Sequence, residues 1–208
     1  MEKVNLGCGL SVVPGWHNID GSPTVRLQRM IGVGGLFRLM VKPDFPSEVI
    51  YGNVVKGLPL ESNSIDILYS SHMLEHLALI DFRLALSEIS RVLKPGGVFR
   101  GVLPDLEIIV KDYSDSIEPN ACSKFLRDSL LGIESRPSSI MGQLHSLIGN
   151  SNHLWMWDYK GIEEELRSAG FLGISRAEFN DSKNKDFAEI EDIERWEGCL
   201  GFECSNPT

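Results

Sequence analysis

The chain has 208 residues, of which 42% are hydrophobic and 24% charged, a composition typical of a globular domain with a sizeable core. Its net charge of −9 argues against a nucleic-acid partner, because affinity for phosphates comes mainly from clustered lysine and arginine. The four cysteines form no C-x-x-C pair, no signal peptide is evident, and no apolar run reaches the roughly 20 residues of a membrane helix. We therefore expect a cytoplasmic protein without a membrane span.

The first third of the chain predicts short strands separated by turns. Apolar runs bounded by turn-forming residues carry this signal. The strand candidates are Lys3–Leu6, Trp16–Ile19, Glu48–Tyr51 and Ser64–Ser70. Between them, Val25–Met40 alternates apolar residues with arginines, which predicts an amphipathic helix interrupted at Gly32–Gly35.

The clearest helix is His72–Leu93. Its apolar side chains recur at steps of three or four residues, which places them on one face. Lys94-Pro95-Gly96-Gly97 ends the helix, because proline cannot continue the backbone hydrogen bonds. The strand candidate Val98–Leu103 follows directly.

A long segment without strand signals comes next, at Leu106–His153. It predicts three short helices joined at Pro119, Pro137 and Gly149-Asn150. Because a loop between a strand and a helix usually has roughly 2–6 residues, we interpret residues 106–152 as a helical insertion within a single domain, 1–208.

The last part of the chain predicts one more helix and two more strands. Asp158 is suited to cap a helix with apolar positions at Ile162 and Leu166, and Gly170 is suited to end it. The strand candidates are Phe171–Phe179 and Cys199–Cys204. The whole pattern predicts an α/β fold, with a mostly parallel sheet, helices on both faces and a helical insertion after the fifth strand.

Residues suited to a nucleoside follow five of the predicted strands. In chain order they are Gly7-Cys8-Gly9, Asp20-Gly21, Asn53-Val54, Ser70-Ser71-His72 and Pro104-Asp105. We expect them at one edge of the sheet, where ligands bind. Glycines let a ligand approach the backbone, the Asp20 carboxylate can accept both ribose hydroxyls, and Asn53 with the Val54 amide can pair with adenine. Taken singly, the two glycines are as typical of a plain turn, and Asp20 of a turn or helix cap.

Several longer motifs also occur together, in a specific order. They are Asn5-Leu6-Gly7-Cys8-Gly9, Leu58–Leu60, Asp66–Leu77 and Arg91–Gly97. They resemble the motifs of the S-adenosylmethionine-dependent methyltransferases of the type-11 branch. Pro104–Leu106 and His153–Asp158 resemble a predicted methyltransferase subfamily often described beside glycan-synthesis enzymes. The resemblance covers most of the chain and is weakest at Val25–Ser47 and after Arg176.

The resemblance implies a Rossmann-like methyltransferase fold with S-adenosylmethionine as cofactor. By matching position, it assigns Gly7–Gly9, in a motif that starts at Asn5 and Leu6, to the methionine part of the cofactor. Asp20 with Gly21 is assigned to the ribose diol, and Asn53 with Val54 to the adenine. Ser70, Ser71 and His72 are assigned to the side near the sulfonium. Three features depart from the family. Ser11 stands where a third glycine is usual, only eleven positions separate Gly9 from Asp20, and Asn53 replaces an aspartate.

The implied reaction is methyl transfer by in-line displacement to a small-molecule or glycan-type acceptor, such as a sugar or a lipid-linked glycan. A hydroxyl acceptor would need a general base, for which His72, Asp105 and His153 are the catalytic candidates. Each has a structural alternative. For His72 it is packing and for Asp105 a helix cap, while His153 precedes Trp155 and Trp157, an aromatic patch that is more typical of a core than of an acceptor platform. The insertion is predicted to form a lid over the acceptor.

His76 and His145 are further candidates for the base. His72 and His76 stand four apart on the predicted helix, as a metal pair would, but no third ligand has a diagnostic spacing, so we expect no metal site.

Two other functions stay open. One is a protein that binds S-adenosylmethionine or S-adenosylhomocysteine without turnover. The other is a nicotinamide-dependent oxidoreductase, against which the missing G-x-G-x-x-G counts. The sequence carries no signal for the oligomeric state.

Overall fold

The computed structural model describes residues 1–30, 32, 34–35, 43–133 and 152–208. The strands are β1 Lys3–Leu6, β2 His17–Asp20, β3 Ile50–Tyr51, β4 Ile65–Ser71, β5 Leu93–Pro104, β6 Leu172–Ala177 and β7 Cys199–Ser205. The α-helices are α1 Pro23–Gln28, α2 Leu79–Val92, α3 Leu106–Asp115, α4 Ala121–Asp128 and α5 Tyr159–Ser168. Short 3-10 helices lie at Leu74–His76, Lys185–Glu189 and Ile193–Arg195. Within the described ranges, none of the helices combines the length and apolar character needed to cross a bilayer.

The strands form one seven-stranded sheet in the order β3-β2-β1-β4-β5-β7-β6. The first five strands in this order are parallel, and β7 runs antiparallel to both of its neighbours. The order reverses at β1, where Leu6 pairs with Ile19 of β2 on one side and with Ser70 of β4 on the other. The predicted mostly parallel α/β fold is confirmed, and the carboxyl ends of β1 and β4 mark the place where ligands bind in such sheets.

Both faces of the sheet are covered. On one face, α2 and α5 contribute a buried set to the core: Phe82, Ala85, Leu86, Ile89, Val92, Ile162 and Leu166. On the other face, the two late 3-10 helices and the segment before β2 cover Ile67 and Tyr69 with Trp16, Phe187 and Trp196. Coverage from both sides explains why β4 is buried at nearly every position.

The predicted helix His72–Leu93 starts later than expected. It begins only after Ala78, which is extended (φ −64°, ψ 153°), and the chain before it forms the 3-10 helix Leu74–His76. His72 has a left-handed backbone with φ 50°, which interrupts any right-handed helix. The prediction that His72 and His76 share one helix face is therefore wrong.

The connection between β1 and β2 contains turns and no helix. Parallel strands usually need a longer, helical crossover, of about a dozen residues or more. Two buried asparagines fix the loop instead. Asn5 Nδ2 donates to Asn18 Oδ1 at 3.1 Å and to the Ser11 carbonyl at 2.9 Å. Asn18 in turn accepts from the Val13 amide and donates to the Val13 and Trp16 carbonyls, each at 3.0 Å.

Two predicted helical segments are described only in part. In Val25–Met40, α1 ends at Gln28, and residues 31, 33 and 36–40 lie outside the described residues. In Leu106–His153, α3 and α4 correspond to two of the three predicted helices, with Pro119 between them. The positions Pro137, His145 and Gly149-Asn150 lie outside the described residues.

An arginine lies buried on the β7 side of the sheet. The Arg100 side chain is fully buried in β5 and pairs with Glu191, whose side chain is also fully buried. Arg100 further contacts Asp181 at 2.9 Å and Glu203 at 3.0 Å, and its guanidinium lies 4.7 Å from the Trp196 ring centroid. One cation thus joins β5, β7 and the loop that carries the late 3-10 helices.

Removing this cation should strongly destabilise the fold. We expect Arg100→Met to lower the free energy of unfolding by about 3–5 kcal/mol, because Glu191 is left as a buried, uncompensated charge. The matched control is Arg83→Met, which breaks the half-exposed pair with Glu165 and should cost at most about 1 kcal/mol. Urea denaturation of both variants measures the difference, and equal losses would contradict this account of the Arg100 cluster.

Candidate functional site

The first glycine turn lies at the end of β1, against β2. The Gly7 and Cys8 amides both donate to the Ile19 carbonyl, at 2.8 and 3.2 Å. Gly7 (φ 72°) has no room for a side chain, because a Cβ there would overlap Met73. Gly9 (φ 55°) differs, since a Cβ there would meet nothing within 4 Å. The packing of Met73 therefore requires glycine at position 7, whereas position 9 borders open space.

Asp20, at the end of β2, is fixed against this turn. Its Oδ2 accepts from the Gly9 amide at 2.9 Å and its Oδ1 from the Ser22 amide at 2.8 Å. The side chain is only 9% exposed, yet each carboxylate oxygen keeps a further lone pair. The structure thus places Asp20 beside the glycine turn, as the predicted site requires.

The other residues of the first motif point into the protein. Asn5 belongs to the asparagine pair that holds the β1–β2 loop, and Leu6 lies in the main core. Cys8 packs with Val25 and Val49 in a small separate cluster, and burial raises the pKa of its thiol to about 12. Any contact of these three residues with a ligand would have to come from their backbone.

Asn53 and Val54 follow β3, next to Gly21. Asn53 Oδ1 accepts from its own turn, from the Val55 amide at 3.0 Å and the Lys56 amide at 3.2 Å. These bonds use the side-chain oxygen of Asn53 and leave its side-chain amide group as the donor available for pairing with adenine. The Val54 side chain is buried in the core. A Cβ at Gly21 would lie 3.1 Å from the Gly52 carbonyl, so β2 and β3 end in close contact.

The end of β4 carries two serines in different surroundings. The Ser70 hydroxyl is 1% exposed and has no hydrogen-bond partner among the described residues. Ser71 Oγ accepts from Arg195 Nε at 2.8 Å, and its carbonyl accepts from Arg195 Nη2 at 3.3 Å. Ser71 therefore anchors the last 3-10 helix, whereas Ser70 retains an unused hydroxyl.

His72 is held from two directions. Its Nε2 lies 2.9 Å from the Arg195 carbonyl and 3.8 Å from Cys199 Sγ, and its Nδ1 lies 3.4 Å from Glu75 Oε1. Burial lowers the pKa of His72, but these partners outweigh it and raise the pKa to about 10. His72 is therefore protonated near neutral pH, which does not suit a general base.

Asp105 and His153 also have structural partners. Asp105 is 3% exposed and caps α3, with Oδ1 accepting from the Glu107 amide at 2.9 Å, while Oδ2 lies 3.1 Å from Arg176 Nη2. These contacts favour the helix-cap alternative. His153 is 7% exposed, and its ring lies 5.0 Å from the His76 ring. Burial lowers the pKa of His153, and its Nδ1 has no hydrogen-bond partner among the described residues.

Sequence reasoning missed several residues that shape this edge. Arg195, which holds Ser71 and His72, comes from a late segment without a motif. Asn18 has a partner that only the β1–β2 pairing brings near. Glu75 belongs to the recognised motif, but its complete burial had no local signal, because its neighbours in sequence predicted an amphipathic helix.

Parts of the chain are similar in sequence to known proteins. A family profile described as "Methyltransferase domain" matches residues 37–100. A 37.1 kDa protein in transposon TN4556 of Streptomyces fradiae is 29% identical over 135 residues, which cover 62% of this chain and 38% of that protein. "Probable methyltransferase ltbC" of Aspergillus luteorubrus is 41% identical over 56 residues, 26% of this chain and 20% of that protein. The chain thus spans well under half the length of these curated relatives.

Solved structures share the fold. A SAM-dependent methyltransferase from Thermotoga maritima has a TM-score of 0.52 at 16% identity, covering 99% of this chain and 82% of that one. A Haloferax volcanii methyltransferase in complex with the activator Trm112 has a TM-score of 0.51 at 20% identity, covering 100% and 83%. Haemonchus contortus phosphoethanolamine N-methyltransferase 2 with S-adenosyl-L-methionine has a TM-score of 0.50 at 15% identity, covering 100% and 49%. The chain therefore shares the Rossmann-like fold of these solved methyltransferase structures.

The two glycines of the first turn should respond differently to substitution. We expect Gly7→Ala to lower the free energy of unfolding by about 3 kcal/mol or more, because overlap with Met73 adds to the left-handed backbone penalty. Gly9→Ala should cost only about 1–2 kcal/mol, the backbone penalty alone. Thermal and urea denaturation give both values. The account of Gly7 is wrong if the two variants lose equal stability and Met73→Ala does not relieve the Gly7→Ala defect.

Proposed function

We propose that this chain is an S-adenosylmethionine-dependent methyltransferase that acts on a small-molecule or glycan-type acceptor. The observation that carries the proposal is the Asp20 carboxylate held 2.9 Å from the Gly9 amide, beside open space at the point where strand order reverses. The match of residues 37–100 to a methyltransferase domain supports the same interpretation. The resemblance of the later motifs favours a sugar or a lipid-linked glycan as the acceptor class.

The residues at this edge fit the cofactor. Gly9 leaves room for a ligand against the backbone, Asp20 keeps lone pairs for the ribose hydroxyls, and the buried Ser70 hydroxyl has no hydrogen-bond partner in the described part of the chain. Asn53 would use its amide group to donate to an adenine ring nitrogen, alongside the Val54 backbone. When bound, the cofactor supplies a methyl group on a sulfonium, which is already strongly electrophilic.

The chain's own task is then to orient the acceptor. Correct positioning can contribute up to about 7–11 kcal/mol to lowering a barrier. Among the three catalytic candidates, Asp105 is engaged through both oxygens and His72 through both ring nitrogens. Within the described ranges, His153 Nδ1 has no hydrogen-bond partner, so His153 is the candidate with free capacity toward an acceptor or another ligand.

A protein that binds the cofactor without turnover is the second candidate function. It is favoured by the structural contacts of His72 and Asp105, which leave neither free to take a proton. Release of S-adenosylhomocysteine in the presence of a panel of sugars, lipid-linked glycans and small alcohols or amines separates the two functions. Release with any acceptor above the level without acceptor identifies the enzyme.

Cofactor binding should depend on Asp20. Calorimetry should detect binding of S-adenosylmethionine and S-adenosylhomocysteine to the wild type, but not of NAD. We expect Asp20→Asn to weaken binding at least about 10-fold, because hydrogen bonds to a charged group contribute about 1.5–3 kcal/mol each. The matched control is Asp66→Asn, an acid at the opposite end of β4 whose partner is Lys94, and it should bind like the wild type.

Circular dichroism of each variant verifies folding, since Asp20 also holds the Gly9 and Ser22 amides. Tight binding of NAD, with none of S-adenosylmethionine, would remove the proposal in favour of an oxidoreductase. Equal affinity in the wild type and Asp20→Asn would remove Asp20 from the site.

The helices after β5 are proposed to act as the lid. α3 and α4 pack mainly on each other, with the Tyr113 and Phe125 rings 5.3 Å apart, and neither helix contains a buried residue. Ile108 and Val110 are 39% and 43% exposed. Segments with few buried contacts open at low free energy. The start of α3 at the carboxyl end of β5 supports the proposal that this part of the insertion 106–152 closes over an acceptor.

Ligand binding should protect this segment. We expect backbone amides of residues 106–133 to exchange hydrogen more slowly when S-adenosylhomocysteine and an acceptor are bound, as closure orders the two helices. Hydrogen exchange followed by mass spectrometry measures the change, with α2 as the internal control that should exchange equally in both states. Unchanged exchange at 106–133 with both ligands bound would contradict the lid.

A further inference from the structure

A buried carboxylate without hydrogen bonds lies just past the end of β4. Glu75 is 0% exposed, and neither of its carboxylate oxygens has a hydrogen-bond partner among the described residues. Leaving a buried carboxylate without hydrogen bonds is costly even beside a cationic group, so a water, a ligand or an ion usually completes its surroundings. The nearest cationic group is His72, whose Nδ1 lies 3.4 Å from Glu75 Oε1 without hydrogen-bond geometry.

Two histidines face this carboxylate. A carboxylate oxygen of Glu75 and one ring nitrogen each of His76 and His153 all lie within 4.8 Å of one another. Metal–ligand bonds of about 2.0–2.2 Å separate two ligands on a tetrahedral ion by about 3.4 Å. A small inward movement of the side chains would therefore bring all three atoms into the coordination sphere of a single ion.

The backbone around the cluster is already ordered. The Glu75 carbonyl accepts from the Leu154 amide at 2.8 Å and from the Trp155 amide at 3.2 Å, which holds the segment with His153 against the 3-10 helix. His76 Nδ1 lies 3.0 Å from the Asn152 carbonyl. A histidine that donates Nδ1–H to a carbonyl presents Nε2 as an acceptor, the arrangement common for metal-binding histidines.

We propose that Glu75, His76 and His153 bind a divalent transition-metal ion of the zinc type. Two imidazoles and one carboxylate are a ligand set that zinc uses in catalytic sites, where coordination positions stay open for water or substrate. The expectation of no metal site rested on spacing, and spacing has no signal here because His153 comes from a different part of the chain. The inference depends only on this cluster and not on the proposed methyl transfer.

An ion at this position would add a binding site for an acceptor oxygen near the carboxyl end of β4. Taken together with the proposed function, its open coordination positions would bind an oxygen of the acceptor and favour loss of a hydroxyl proton. The acceptor class would then be one with an oxygen donor. His153 would serve as a ligand in this arrangement and not as the general base.

Metal binding to the tag-free full chain tests the proposal. After dialysis against a chelator, the protein is titrated calorimetrically with zinc, manganese and magnesium chloride, and bound metal is counted by elemental analysis. We expect one zinc ion per chain, weaker binding of manganese, and no binding of magnesium, which prefers an all-oxygen site. Glu75→Gln, which keeps the shape and removes the charge, should weaken zinc binding at least about 100-fold.

His17→Gln and Cys122→Ser are the matched controls, because both residues are surface groups able to bind zinc, and both variants should keep the wild-type site. If Glu75→Gln does not fold, His76→Gln and His153→Gln decide in its place. The proposal is overturned if the wild type binds no zinc, or if the folded ligand variants bind zinc as the wild type does. S-adenosylmethionine titrations of the same samples report on the proposed function separately.

Discussion

The contact between the Asp20 carboxylate and the Gly9 amide is the constraint on which the candidate site depends. It joins the end of β2 to the turn after β1, the strand at which the sheet order reverses. A charged acceptor bound by two backbone amides is among the stronger hydrogen-bonding arrangements, at about 1.5–3 kcal/mol for each bond. Together with the bonds from the Gly7 and Cys8 amides to the Ile19 carbonyl, it fixes the glycine turn against the end of β2.

The contact between Asp20 and Gly9 is supported by the short loop that connects β1 to β2. The chain between β1 and β2 is too short for a helix to cross the sheet, and the Asn5–Asn18 pair replaces the helix with side-chain hydrogen bonds. A buried polar pair of this kind stabilises the fold only when its donors and acceptors have hydrogen-bond partners. Backbone groups of Ser11, Val13 and Trp16 supply these partners. These hydrogen bonds therefore hold the shortened loop against the adjacent ends of β1 and β2.

Much of the fold could be predicted from the sequence, because its signals are local. Asp158 accepts from the Gly161 amide at 2.7 Å and caps α5 as predicted, and Gly170 follows that helix with φ 94°. The start of α2 was not predicted, since His72 has a left-handed backbone and its ring contacts the Arg195 carbonyl, 123 positions later in the chain, where no local pattern shows it. The Glu75–His76–His153 cluster was missed for the same reason, because only tertiary structure brings the third residue near. The residues predicted for the site, His153 apart, lie at the carboxyl ends of β1 to β5, but the sequence did not indicate which of their atoms already have hydrogen-bond partners.

The most direct test of the central claim is a crystal structure of the chain grown with S-adenosylhomocysteine. The account predicts the nucleoside at the carboxyl ends of β1, β2 and β3, with its ribose hydroxyls on the Asp20 carboxylate and its amino acid part along Gly7–Gly9. A nucleoside bound elsewhere, or one at this edge with no contact to Asp20, would contradict it.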